Sequence, residues 1–303
     1  MATPRPTERE VLSADDVAFY DDNGYVVLER RLPAETVAAL KAELARFREM
    51  ARGLRESDER LDLEDSHSPD DPRVRRVKLP HTQSDIVAEL MRSDLILAPV
   101  RDLVGPDVRL HTSKLNVKSA HYGAPVDWHQ DFAFYPHTND DLLAVGVMLD
   151  DVDEENGPLM VFPGSHKGPI YDHHASGVFA GTMDLEASGF DMKDAVKLMA
   201  PAGSISIHHG RIVHGSDTNR SARDRGVIFY EMMAADAFPI MGSMTGALSF
   251  EEYDTRMLCG SPTKAPRLEA IPVRVPQPQP VKRGSIYEVQ KAAAKHGFRA
   301  AAE

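Results

Sequence analysis

Sulfur crosslinks are the first thing this chain lacks. One cysteine, Cys259, stands among 303 residues, so no disulfide can close within the chain, and a reducing cytoplasm is the expected setting. There is one tryptophan, and no apolar run approaches the ~18 residues that suggest a membrane helix. Positive charge is in deficit: 35 Lys and Arg face 47 Asp and Glu, a net charge of −12. General binders of nucleic acid or anionic membrane need a basic face, so neither partner is expected. A local basic pocket for an anionic small molecule stays open. The opening MATPRPTEREVLSADD has no apolar centre and no cleavage signal, so no leader is expected.

What is present is ordinary globular composition, 42% apolar and 27% charged, with enough chain for a substantial core. We expect a single domain over 1–303, with a loose tail at 1–12 and a C-terminal extension at 270–303. Ser13 can cap a helix over Ala14–Asp22, Asn23-Gly24 turns into a strand at Tyr25–Leu28, and Pro33–Arg52 carries Val37, Leu40, Leu44 and Phe47 at helical spacing. The acidic Glu56–Arg73 stretch predicts a mobile surface loop. A strand at Val74–Leu79 and helices near Gln83–Met91 and Leu95–Val104 follow. From Val108 onward short β-like runs alternate with turns: 109–118, 143–149, 159–162, 204–208 and 226–232. Helices first and strands afterwards predict an α+β fold with a mainly β core, a sandwich or barrel. The long connection at 165–201 is a candidate lid. Pro272–Pro280 predicts extended chain, and Ile286–His296 a terminal helix.

The chemistry concentrates in two patches, Trp128-His129-Gln130-Asp131 and His214-Gly215-Ser216. Residues two apart on a strand share a face, so His129 and Asp131 can converge on one ion. His-x-Asp with a distant histidine is the donor set of mononuclear iron(II) oxygenases, which leave metal positions open. By itself, His-x-Asp is equally an ordinary surface pair. His208 and His209 compete with His214 as the distant donor, and Arg220 and Arg223 stand close to Arg225. The face shared by Thr112, Lys114, Asn116 and Lys118 either lines a pocket or meets water. Phe132, Phe134 and Tyr135 either line a substrate site or fill the core. His137, His173 and His174 read as surface or lid residues, and His166 as closing a turn. Met232, Met233, Met241 and Met244 read as adaptable packing.

The stretches WHQDFAFYP, ENGPLMVFPGSHK and HGSDTNRSARDR, in that order, resemble the phytanoyl-CoA dioxygenase family. The likeness runs from about Ala14 to about Met232, and DDNGYVVL is similar to the family's first strand. The resemblance implies a double-stranded β-helix, or jelly roll, with flanking N-terminal helices, and iron(II), 2-oxoglutarate and O2 as the reacting set. Carried over residue by residue, it implies His129, Asp131 and His214 as catalytic metal ligands. It implies Arg225, eleven residues beyond His214, as the partner of the far carboxylate of 2-oxoglutarate, with Ser216 beside it. A planar guanidinium suits that carboxylate. Lys78 and Asn116 are the further candidates for co-substrate contact, and Lys114, Phe134 and Thr112 for substrate contact. Halogenating relatives replace the carboxylate, so Asp131 implies hydroxylation or a related oxidation. The activity so implied is hydroxylation of an unactivated carbon, releasing succinate and CO2; the compact length and the polar Thr112–Lys118 face point to a small, polar or anionic metabolite as its substrate. The alternatives are an acyl-CoA hydroxylase, a non-catalytic jelly-roll binding protein that retains its metal, and a cupin-like zinc or manganese enzyme. Oligomeric state is left open between monomer and homodimer.

Overall fold

A computed structural model of the chain describes residues 9–241, 249–280 and 286–291. Ser13 opens helix α1 (Ala14–Asn23): its hydroxyl accepts from the Asp16 N–H, and the Asp16 carboxylate accepts from the Ser13 N–H. This reciprocal cap satisfies two donors that the first turn would otherwise leave open. The expected loose tail is tied down where it is described. The Asp102 carboxylate accepts from the backbone N–H groups of Glu10, Val11 and Leu12, each at 2.9 Å. Residues 1–8 of that tail lie outside the described residues.

Gly24 ends α1 at φ 81°, in the left-handed region. A Cβ there would come within 2.5 Å of the His166 ring, which packs under this turn. Gly24→Ala is therefore expected to lower the unfolding free energy by about 1–3 kcal/mol. Urea denaturation reads this directly, and a variant as stable as the parent would refute the close contact.

Helix α2 (Ala34–Ala51) buries Val37, Leu40, Leu44, Phe47 and Ala51, one stripe at spacings of three and four. With α3 (Asp85–Arg92) and α4 (Asp94–Val104) it covers one face of a large antiparallel sheet. Numbered in chain order, that sheet runs β1 (Tyr25–Leu28), β11 (Ile205–His209), β6 (Leu142–Met148), β13 (Arg225–Ala234), β4 (Val108–Lys118), β3 (Val74–Lys78) and β2 (Leu61–Leu63), with β14 (Met257–Cys259) also on β4. Alternation sorts its side chains. Leu143, Val145, Val147, Ile205, Ile207, Ile228, Tyr230, Leu115 and Val117 join the helices in the main core. The opposite face carries Lys114, Asn116, Lys118, His208, Arg225 and Phe229 and looks into the molecule. A second sheet, β10 (Val196–Leu198), β7 (Leu159–Val161), β12 (His214–Ser216) and β5 (Val126–His129), contributes His129 and His214 to the same cavity. Two antiparallel sheets with helices on one side give the jelly roll with flanking N-terminal helices.

The acidic stretch 56–73 is not all loop. Its Leu61–Leu63 segment is edge strand β2, paired with β3. Glu64 and Arg75 form a buried ion pair at 3.0 Å, and Asp62 meets Lys78 at 2.7 Å. Basic partners on β3, distant in sequence terms, hold this acidic run in place. The 165–201 connection forms a small hairpin, β8 (His174–Ala175) and β9 (Val178–Phe179), and supplies β10. Its Met183, Leu185, Phe190 and Ala195 pack with Trp128 and Phe162 on the second sheet. Among the described residues, no helix is long and apolar enough to cross a membrane.

Candidate active site

His129 and His214 meet because β5 and β12 pair antiparallel with these two residues directly opposite. Their ring centroids are 4.1 Å apart. Each ring is fixed through Nδ1 on the carbonyl two residues earlier: His129 on Asp127 at 2.8 Å, His214 on Ile212 at 3.0 Å. With Nδ1 donating to a carbonyl, Nε2 carries the lone pair. Strand β5 ends at His129, but Gln130 stays extended at φ −118° and ψ 127°, so alternation carries one residue further and brings Asp131 to the same side. A 3-10 turn begins there.

Gln130 is locked from four directions. Its N–H donates to His173 Nε2, its side-chain amide donates to the carbonyls of Pro169 and Arg211, and its side-chain oxygen accepts from the Tyr171 N–H. His173, expected at the surface or in a lid, is buried and donates from Nδ1 to the Tyr171 carbonyl. The residue between two candidate ligands is thus held from outside the cavity.

The result is a buried trio of donor atoms, from His129, Asp131 and His214, all within 4.8 Å of one another. Asp131 lies 3.6 Å from His129 Nε2 and 3.9 Å from His214 Nε2. Burial pushes the Asp131 carboxyl up, but Lys114, His214 and its imidazole neighbours outweigh this and hold it well below its ordinary value. Burial, then the neighbouring His129, lowers His214 well below its own. Two imidazole nitrogens and one carboxylate, aimed at a common point, are the ligand chemistry a divalent iron site requires.

Arg225 opens β13 opposite Lys118 of β4. It is buried, and burial lowers its guanidinium to about 10, still charged at neutral pH. It donates to the carbonyls of Asn156 and Gly157, so the ENGP turn holds the guanidinium. Lys118 ties neighbouring loops together, donating to the carbonyls of Ala124 at 2.8 Å and Asp217 at 2.5 Å. Burial and the adjacent Arg225 push its ammonium well below its ordinary value. Ser216 faces the same cavity.

That cavity also takes in Arg76, Lys114, Asn116, Leu159, His208, Phe229 and, from helix α6 (Ile286–Lys291), Ile286 and Tyr287. The space available to the centres of water-sized molecules is about 40 Å³. Asn116 accepts from Arg76 Nε at 3.1 Å. Lys78 shares a face with Arg76 but turns to Asp62 and the Asp58 carbonyl, and neither it nor Thr112 is among the lining residues. Phe134 stands edge-on to His129, with centroids 5.7 Å apart, and packs against Phe179. Phe132 is core, while the Tyr135 hydroxyl donates to Glu231 at 2.7 Å. Of the rivals, His208 lines the cavity, whereas His209 lies 3.8 Å from Asp140. Arg220 and Arg223 pair with Asp217 and Asp153 at the surface.

His137, also expected at the surface, is fully buried beside His111 at a ring distance of 5.2 Å. Burial lowers His137 to about 4 and His111 to about 3. Both are neutral in the fold, whereas the unfolded chain protonates them near 6.5. Stability is therefore fully present above pH ~6.5 and falls as the pH drops toward 4, by about 3 kcal/mol for His137 alone. Urea midpoints measured from pH 7.5 to 4.5 check this; a flat profile would contradict it.

Comparison with known proteins agrees with this geometry. The family model for phytanoyl-CoA dioxygenase matches residues 20–227. A probable alpha-ketoglutarate-dependent hypophosphite dioxygenase of Stutzerimonas stutzeri is 36% identical, covering 92% of this chain and 97% of the relative. An ectoine dioxygenase of Bordetella parapertussis is 30% identical, covering 80% of each. The crystal structure of EctD from S. alaskensis with 2-oxoglutarate and 5-hydroxyectoine superposes with a TM-score of 0.61 at 25% identity, over 77% of this chain and 82% of that one. The chain belongs to the phytanoyl-CoA dioxygenase family and is one of its iron(II)- and 2-oxoglutarate-dependent dioxygenases.

Proposed function

We propose that this enzyme hydroxylates a small, polar or anionic metabolite inside a cation-lined cavity, and that it works in the cytoplasm without a nucleic-acid or membrane partner. In this reading His129, Asp131 and His214 hold iron(II), and Arg225 with Ser216 receives the far carboxylate of 2-oxoglutarate. Arg76 and Asn116 form the wall beside them. Bound iron and 2-oxoglutarate supply the oxidising chemistry. The balance is simple: substrate and 2-oxoglutarate each lose two electrons, and O2 gains four. One oxygen atom enters the product hydroxyl, the other the new carboxylate of succinate, and CO2 leaves.

The observation that carries this reading is the composition of the cavity wall. Arg76, Lys114 and Arg225 reach it as cations, against the single carboxylate, Asp131, among its described lining residues. An iron ion and a dicarboxylate leave that wall with cationic groups to spare. The mostly polar lining disfavours an acyl-CoA, whose chain needs a long apolar channel. A non-catalytic binding role has no need of three convergent metal-donor side chains.

The test is turnover by the full chain loaded anaerobically with iron(II), then given O2, 2-oxoglutarate and a panel including hypophosphite, L-proline and ectoine. Succinate and oxidised product should form in equal amounts with one of the small polar compounds. Turnover confined to acyl-CoA thioesters would contradict the proposal, as would 2-oxoglutarate binding with no succinate from any compound.

A further inference from the structure

His208 is the side chain in this cavity that nothing in the fold explains. It is buried, and neither ring nitrogen has a hydrogen-bond partner. Its Nε2 stands 3.6 Å from Asp131, and its ring lies 4.6 Å from that of His214 and 6.1 Å from Phe229. It is not one of the three mutually close donors. A buried imidazole with two unmet polar atoms costs stability, and such groups are kept where a ligand satisfies them.

Lys114 comes from β4 on the same interior face. Its ammonium is 2.5 Å from Glu231 and 5.7 Å from the centre of the Phe229 ring. Burial works against its charge, and Glu231 and Asp131 more than offset this, so the group stays cationic. Glu231 is itself shared, because its other oxygen accepts from the Tyr135 hydroxyl. An ammonium has three donors, so the Glu231 contact leaves it capacity for a ligand. Lys114 pairs with Phe229 and Lys118 with Arg225, four strand positions further along. At ~3.3 Å per residue, about 13 Å of sheet separates Lys114 from Lys118. The wall thus has two cationic poles, with Arg225 at one and Lys114 at the other, where His208 also faces in.

We propose that Lys114 and His208 form a receptor for the anionic group of the substrate, and that the substrate is a compact oxyanion. This rests on the preceding assignment of Arg225 to 2-oxoglutarate, which leaves the second pole for the substrate. The ammonium supplies charge and free N–H donors, and the imidazole supplies a further polar contact from β11, which β6 and β13 separate from β4 in the sheet. The cavity, lined by Phe229 among mostly polar groups, suits a phosphorus oxyanion or a small carboxylate rather than a long apolar chain.

The test is binding, measured by calorimetry without O2, on the full chain carrying iron(II) and 2-oxoglutarate. Hypophosphite and L-proline are titrated separately, which distinguishes a phosphorus oxyanion from a carboxylate. Lys114→Met and His208→Gln should each weaken binding of the accepted anion by roughly 10- to 100-fold. Affinity for 2-oxoglutarate should stay within about twofold, and Lys114→Arg should recover most of the lost anion affinity. Because Lys114→Met leaves Glu231 buried without its cation, the double variant Lys114→Met/Glu231→Gln serves as the folding-safe form and should lose the anion equally. Two outcomes overturn the receptor while leaving the oxygenase reading intact: wild type that binds 2-oxoglutarate but neither anion, or variants whose anion affinity is unchanged. Wild type that binds no 2-oxoglutarate refutes the oxygenase reading, and the receptor with it.

Discussion

Arg225→Ala should raise the half-saturating concentration of 2-oxoglutarate by about 100-fold while leaving the metal in place. The guanidinium is buried, remains charged at neutral pH, and is held by the carbonyls of Asn156 and Gly157. Replacing it removes a charge-assisted, two-pronged contact from a site with little water to substitute for it. Lys118 cannot take over, because its ammonium is engaged by the carbonyls of Ala124 and Asp217. Arg225→Lys should recover only part of the loss, since one ammonium cannot match a carboxylate with two parallel hydrogen bonds. The measurement is initial rate against 2-oxoglutarate at saturating iron(II). An unchanged half-saturation in Arg225→Ala would remove this residue from the co-substrate site.

Asp131→Ala should abolish turnover by removing the metal itself. Two imidazoles would remain, with no anionic ligand to balance a divalent cation. Changing a partner outside the ligand set already costs roughly 10- to 100-fold in metal affinity, so deleting the only carboxylate of the trio should cost more than ~100-fold. The fold should survive, because Asp131 sits past the end of β5, and the turn it opens is held by backbone bonds and by Gln130. Iron(II) retention on anaerobic gel filtration, beside a thermal melt, separates metal loss from unfolding. A variant that keeps its iron would contradict the assignment.

How much of this was legible in the sequence depended on how local the signal was. The Ser13 cap is written within one turn of chain and the Val37–Phe47 stripe of α2 within about three, and both elements form where the spacing places them. The order His129, Asp131, His214, Arg225 is a one-dimensional pattern, and the fold draws these residues to one cavity. The supports were not legible. Gln130 is locked by partners at Pro169, Tyr171, His173 and Arg211, and Lys118 by loops nearly a hundred residues away. Strand alternation put Thr112 on the face of Lys114 and Asn116, and the family resemblance suggested Lys78, but neither shows how far each lies from the donor trio. Arg76, two residues before Lys78, is the β3 cation that reaches the cavity. His208 could be read only as a rival ligand or a buried histidine, since its neighbours belong to three other strands or turns. Nor does anything in the polar C-terminal stretch announce that Ile286 and Tyr287 help to line the cavity. One local cue went unused: Asp62 and Glu64 alternate ahead of the basic Arg75-Arg76-Val77-Lys78 run, a pattern compatible with paired strands.

The most direct measurement is an anaerobic titration of iron(II) into the full chain, followed by 2-oxoglutarate. One metal ion should bind per chain, and one 2-oxoglutarate should then bind with an affinity that depends on the metal. Iron binding that persists after His129, Asp131 and His214 are all replaced by alanine, or 2-oxoglutarate binding indifferent to the metal, would contradict the account.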